Sequence, residues 1–530
     1  MARYVRGYRD FSGGLSELAN DNMADNQLIR AQNIIPGDGH GICRSFGLEL
    51  AFAQMNIERV DGSNQYVRDL VEFTTADGEA KLVAFTELPL DAQNILEWDS
   101  AALNWKVVSY NQFRRLDGFV HANKVYWLIG RNLMRYDGKS YGVATQTPMG
   151  DSITEAEEAV WEKVKKAVAV EQRGQRWFYA TADKEVIFSE IGEPTKIDPT
   201  NIININTKDN DSITALKEFN NGLLIFLRRS VYYLSGWDLA GGSDIVLTRL
   251  NVTSGTEFPR TIQTVENAVL YLGTNGVYRL RVPSYSGIIA AENISEHKIS
   301  KAVFEYGPLS SAWSTVWNNV YYLGVRSDND RPDVREYRYY PELDAFFGEY
   351  THGGLSYNVL SDNRLYVGLP NSYIARFDKE VYHYINSDDG SPCAIPVNAV
   401  TKGYDVSGGM VSNVRLQKAL ISARQYPEQS SHVTLRIKAD YDDCQYDLNM
   451  INMDESMNYG EAVWGDAVWG WQDTVTKQVD LRAKAKRVNF FICDEHVDEP
   501  LLVYGLALVY KPRGVKGDKK GISRTAVSYD

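Results

Sequence analysis

KVYWLIGRNLMRY at 124–136, LLIFLRRSVYYL at 223–234 and AVLYLGTNGVYRL at 268–280 decide the fold of this chain. Each is an apolar run, a short polar or glycine-containing turn, and a second apolar run rich in tyrosine. β-Branched and aromatic residues suit a pleated surface, and the polar turn residues reverse the chain, so each stretch reads as a β-hairpin. NVYYLGV at 319–325 and LYVGLPNSYIARF at 365–377 read the same way. A lone hairpin cannot bury its apolar face, so repeated copies imply a repeat architecture.

Working outward, candidate blades centre near 81–109, 120–142, 176–198, 221–250, 267–290, 318–348 and 355–378. About seven units at roughly the 40–45-residue spacing of four-stranded blades predict a β-propeller over 51–380. One stretch interrupts the pattern: TEAEEAVWEKVKKAVAVEQR, 154–173. Ala159, Val160, Val164, Ala167 and Val168 recur at helical spacing, and Thr154 with Glu157 forms a capping box. This predicts a helical insertion across the outside of the propeller, either a structural connector or a docking element for a partner.

The pattern changes after about 380. SHVTLRIKADY, 431–441, sets Val433, Leu435 and Ile437 against Thr434, Arg436 and Lys438. Such alternation indicates sheets with one wet face. With KRVNFFICD, LLVYGLALVY and VSNVRLQKALISA, it predicts a β-sandwich over 381–511. Residues 1–50 lack strong periodicity and read as an extended arm ending in a tight turn at PGDGHG, 36–41. Residues 512–530 are basic and aperiodic, which reads as a flexible tail. The fold class expected is therefore all-β.

The chain has 530 residues and a net charge of −13, which disfavours wholesale electrostatic binding to nucleic acid. Cys43, Cys393, Cys444 and Cys493 are dispersed, with no CxxC pair, so neither a disulfide framework nor a zinc site is expected. No apolar run is long enough for a membrane span, and MARYVRGYRD lacks the apolar segment of a signal peptide.

Catalysis has little support in the residues. The seven histidines (40, 121, 297, 352, 383, 432 and 496) form no HxxxH or HExxH pattern, and none lies near a GxSxG serine. GDGHG at 37–41 is not followed by the Lys-Ser/Thr of a phosphate loop, so a turn is expected. The acidic stretches SDNDRPD, NSDDG and DYDD read as solvated turns, since none has the spacing of a calcium loop. No catalytic residue, metal or cofactor is assigned. YGEAVWGDAVWGW, 459–471, contains a five-residue tandem echo that places Trp464, Trp469 and Trp471 among glycines and acids. Three readings of these indoles stay open: burial in the domain, a subunit interface, or a stacking platform for sugars.

The opening DFSGGLSELANDNMADNQLIRAQNIIPGDGHGICRSFG, 10–47, resembles the start of a class of tailed-bacteriophage virion proteins. The matching residues are Phe11 to Leu15, Asp25 to Gln27 with Ala31 and Asn33, and Arg44-Ser45-Phe46-Gly47. DSITALKEFNNGLLIFLRRSVYYLSG, 211–236, and SGTEFPRTIQTVENAVLYLGTNGVYRL, 254–280, are similar to the propeller core of phage packaged-DNA stabilisation and tail-hub proteins. The tandem Trp loop and the strand before Tyr510-Lys511-Pro512 look like the C-terminal part of such proteins. The helix at 154–173 departs from that pattern.

The resemblance implies a virion structural protein made in the host cytoplasm, one member of a hexameric ring in the neck or tail (hub or nozzle). Portal and adaptor proteins and tail fibres would be its partners, and packaged DNA would pass through the channel without sequence-specific binding. Phe11, Arg44 and the three tryptophans are the interface candidates. Two alternatives come from other classes. A receptor- or glycan-binding propeller of a tail fibre requires exposed aromatic clusters on loop tips. A propeller hydrolase requires carboxylates or a His-Asp pair converging at the central funnel.

Overall fold

The computed structural model describes residues 4–512 except 56–65, 88–92, 112–114, 208–210, 237–244, 283–287, 306, 328–333, 387–388, 408–412, 427–429, 441 and 451–473. The chain divides into two compact units, one spanning 46–395 and the other joining 1–45 to 396–530. It is all-β in character, as expected.

The larger unit is a propeller-like ring of antiparallel four-strand meanders. The first comprises Tyr66–Thr74, Ala80–Glu87, Gln93–Asp99 and Asn104–Asn111. Three more lie within 117–143, 167–204 and 213–249, and a further one within 263–293. The last is built from Ser356–Val359, Leu365–Gly368 and Ile374–Asp378, completed by Gly47–Leu50 from the start of the unit. These are six separate four-stranded blades, one fewer than the about seven expected. The difference lies at 309–350, which holds four meandering strands that are not a separate four-stranded sheet. Its first strand, Leu309–Trp317, still sits beside Gln263–Val265 and Ser356–Val359. Ser356–Val359 in turn lies beside Tyr66–Thr74, which closes the ring.

The apolar runs that define the hairpins are buried on both faces. In Gly222–Leu227, Leu223, Ile225 and Leu227 pack with Phe178, Ala180 and Val186 of the preceding blade. Leu224 and Phe226 point the other way, toward Val269, Tyr271 and Tyr278 of the next blade. A strand covered on both sides reads as a continuous apolar run, which is why these segments show little alternation. The turns are equally specific. Two-residue loops at Ala122-Asn123, Asn220-Asn221 and Asn318-Asn319 join the first two strands of their meanders. Both residues of each loop have positive φ, the conformation that matches the right-handed twist of a hairpin and that asparagine tolerates. This corrects the reading of NVYYLGV: Asn319 closes the turn, and the other six residues lie in one strand, Val320–Ser327.

The helix spans Glu155–Lys165 only. The Thr154 hydroxyl accepts from Glu157 N–H at 3.3 Å, and the Thr154 N–H donates to the Glu157 carboxylate at 2.6 Å, so the capping box forms. Val160, Trp161 and Val164 pack into a cluster with Tyr126, Leu133, Trp177 and Ile187, on strands of two successive meanders. The second half of the predicted helix is the strand Ala167–Arg173, which pairs with Arg176–Thr181. Ala169 and Val170 gain sheet partners and burial there, and that tertiary gain overrides a weak local helical preference.

The smaller unit overturns the reading of 1–50 as an extended arm and of 381–511 as self-contained. Tyr4–Tyr8 and Ile42–Arg44 both pair with Leu502–Pro512, in a seven-stranded sheet that includes Val414–Arg424 and Thr474–Asp480. Leu28–Gln32 pairs with Val397–Thr401, and the sheet continues through Arg487–Asp494 and His432–Ala439 to Asp442–Asn449. The N-terminal strands are short and irregular in pattern, so sequence periodicity does not reveal them. Val433, Leu435 and Ile437 are buried as their alternation predicts.

Leu48, in the N-terminal strand of the last blade, is fully buried in a cluster with Tyr357, Val367, Ala375 and Phe377. Leu48→Ala should therefore destabilise the larger unit by about 2–5 kcal/mol, read from its unfolding transition in denaturant. A loss near zero would mean that this strand does not hold the blade.

Candidate functional site

The antiparallel neighbours His432–Ala439 and Arg487–Asp494 place Thr434 opposite Cys493. This register brings the segment after Asp494 alongside the start of the partner strand, where three ionisable side chains meet. Glu499 accepts hydrogen bonds from the Ser430 hydroxyl (2.8 Å) and the His432 N–H (3.0 Å). Its carboxylate also lies 2.9 and 3.0 Å from His432 Nδ1. The His432 and His496 rings stack with centroids 4.7 Å apart. Nδ1 of His496 is 2.6 Å from Asp494 Oδ1. One ligand atom from each of His432, His496 and Glu499 lies within 4.8 Å of the others.

Arg44 sits behind this cluster. It forms a fully buried ion pair with Asp494, and its Nη1 donates to the His496 carbonyl at 2.8 Å. The buried cation thus fixes both the carboxylate that orients His496 and the backbone that carries it. Burial pushes the Glu499 carboxyl up, but its bonds to Ser430 and His432 outweigh that and hold it below the ordinary range. In front lies a cavity of about 610 Å³ whose lining includes His432, Arg436, Asp447, Cys493 and His496. His496 is 55% exposed, so the cluster faces solvent while its supports are interior. Two imidazoles at the cavity and the Glu499 carboxylate beside them can bind a divalent cation or exchange protons.

A second ionisable cluster, in the propeller, has no such access. Glu336 accepts from Arg338 Nε at 2.5 Å and from the Tyr357 hydroxyl, and it lies 2.5 Å from His352 Nε2. The Arg338 guanidinium stacks over the Tyr350 ring at 3.7 Å. All of these groups are buried, which fits a role in holding blades together.

Of the residues singled out from sequence, Phe11 and Arg44 are interior and not at an exposed interface. Phe11 is fully buried and its N–H donates to the His40 carbonyl at 2.9 Å. Trp464, Trp469 and Trp471 lie outside the described residues. Asp389 bonds the N–H and hydroxyl of Ser391 within its own turn, and Asp440 accepts from the Lys486 and Arg487 N–H groups of a distant segment. The histidine–carboxylate cluster was missed because His432 and His496 are far apart in the chain. The available signal was a histidine opening an alternating strand, together with the acid-rich DEHVDEP segment.

No protein-family profile and no curated protein matches the chain. Among solved structures, the chain is similar to the extracellular domain of a hybrid two-component system from B. thetaiotaomicron. Identity is 9% and the TM-score 0.39, over 70% of this chain and 43% of that one. A second structure of that extracellular domain gives 10% identity and a TM-score of 0.41, over 89% and 63%. U3-55K gives 10% identity and a TM-score of 0.37, over 62% and 100%. The chain thus spans less than half of the first of these.

The Glu336 cluster sets an acid limb for stability. Burial pushes this carboxyl up, but Arg338, His352 and Tyr357 prevail and bring it from 4.5 down to about 2. Its contribution is therefore present above the unfolded value and lost as pH falls toward about 2. Glu336→Gln should flatten the dependence of Tm on pH between about 5 and 2. Arg338→Met, which strands the carboxylate, should cost about 3–5 kcal/mol at neutral pH. An unaltered acid limb in Glu336→Gln would remove Glu336 as its source.

Proposed function

We propose that this chain is a structural subunit of a tailed-phage virion, forming part of a ring in the head–tail connector or tail. The observation that carries the reading is the burial of the residues on which the sequence resemblance rests. Phe11, Ala31, Asn33, Arg44 and Ser45 are at most 1% exposed. In the second matching stretch, Asp211 accepts from the Arg229 N–H and the Ser230 hydroxyl. Thr256 donates to the Leu272 carbonyl at 2.7 Å, tying one blade to the next. Gly255 passes so close to the Leu227 carbonyl that a Cβ would collide with it. Buried residues of this kind specify a rigid body, as a scaffold subunit requires.

The proposed partners follow from that role: further copies of the chain in a hexamer, portal and adaptor proteins, and tail fibres. The net charge of −13 suits a conduit, because an acidic wall discourages DNA from adhering as it passes. No helix among the described residues is long and apolar enough to cross a membrane.

Native mass measurement of the purified protein, alone and with portal-adaptor rings, tests the proposal. Ring-sized assemblies, or assembly that depends on the adaptor, are expected. Trp464→Ala with Trp469→Ala should weaken that assembly while leaving a folded chain. A protein that stays monomeric with every adaptor would overturn the ring reading and favour a receptor-binding propeller.

A further inference from the structure

We infer that His432, His496 and Glu499 form a binding site for a divalent transition cation of the zinc class, with its remaining coordination position open to the adjoining cavity. Two imidazole nitrogens and one carboxylate are a donor set that suits zinc, and three protein ligands leave a position for water. The spacing is close to that of a bound state. Donor atoms on one tetrahedral zinc lie about 3.3 Å apart for ligand distances near 2.0–2.1 Å. His432 Nδ1 and the Glu499 carboxylate are already 2.9 Å apart, and all three ligand atoms fall within 4.8 Å.

The surroundings are those of a prepared site. Asp494 engages Nδ1 of His496, which leaves Nε2 as the ligand atom and orients the ring, as a carboxylate behind a metal-bound histidine does. Arg44 holds Asp494 in turn, so its positive charge is already paired. Ser430 supports Glu499. Around the opening, Arg436 is paired with Asp443, and Asp447 accepts from the Thr434 hydroxyl at 2.8 Å. Neither competes directly for the three donors. Glu495 also lines the cavity and adds negative charge. A bound cation would fasten the segment carrying His496 and Glu499 to the strand that begins at His432, replacing ring stacking by coordination bonds.

Calorimetric titration of the metal-stripped full-length protein with zinc chloride tests the inference, paired with thermal unfolding at each zinc concentration. One zinc per chain and a Tm that rises with zinc are expected. His496→Ala, chosen because His496 is exposed and its removal spares the core, should weaken binding roughly tenfold or more and abolish the rise. Glu499→Gln should do the same. His297→Ala, at an exposed histidine beside Glu296, should change neither readout. Absence of zinc binding, or equal affinity in the wild type and His496→Ala, would overturn the site.

Discussion

Blade-on-blade burial is the constraint on which the rest of the larger unit depends. A middle strand such as Gly222–Leu227 is buried at every position, with alternate side chains committed to different neighbours. Burying such a side chain contributes about 1.5–3 kcal/mol, and no blade can realise that alone because half of its apolar surface needs the next blade. The array must therefore close. Closure is made where the Ser356 hydroxyl donates to the Val67 carbonyl and Leu70 N–H donates to Asn358. Gly47–Leu50 then supplies the outer strand of the last blade, linking residues more than three hundred positions apart in the chain.

Buried charge adds specificity to this apolar frame at some cost in desolvation. Glu336, Arg338 and His352 are buried together in the propeller, and Arg44 with Asp494 in the smaller unit. Such pairs stabilise little compared with apolar replacements, but removing one partner strands an uncompensated charge. They therefore define one packing among several that hydrophobicity alone would tolerate. In the smaller unit the consequence reaches the surface: Arg44 and Asp494 present His496 to the cavity beside His432. Arg44, from the opening segment of the chain, thus acts as the foundation of the histidine–carboxylate cluster.

The readings from sequence succeeded where local physics and tertiary packing agree. KVYWLIGRNLMRY forms the predicted hairpin, with Leu128 opposite Leu133. Thr154 and Glu157 cap the helix as their spacing requires. They failed where a distant partner decides. Ala167–Arg173 has helical spacing but gains more as the first strand of a meander. Tyr4–Tyr8 has no periodicity long enough to detect, yet it becomes a strand because Leu502–Pro512 offers an edge. The strands at 309–350 match the blade pattern, but whether a sheet stops at four strands depends on what meets its edge, and the repeat cannot encode that.

By itself, the sequence determined the all-β class, the repeated hairpin unit, most of its positions, the helix cap and the alternating strand at 432–439. These features rest on contacts or conformations within a few residues, so periodicity and turn chemistry record them. Only the tertiary structure decided that six blades close as separate sheets, that residues 1–45 share a unit with 396–530, and that two distant histidines converge on Glu499. Each of those outcomes depends on which remote strand edges and side chains meet. Free energy of that kind belongs to pairs of segments, and neither segment carries its mark alone.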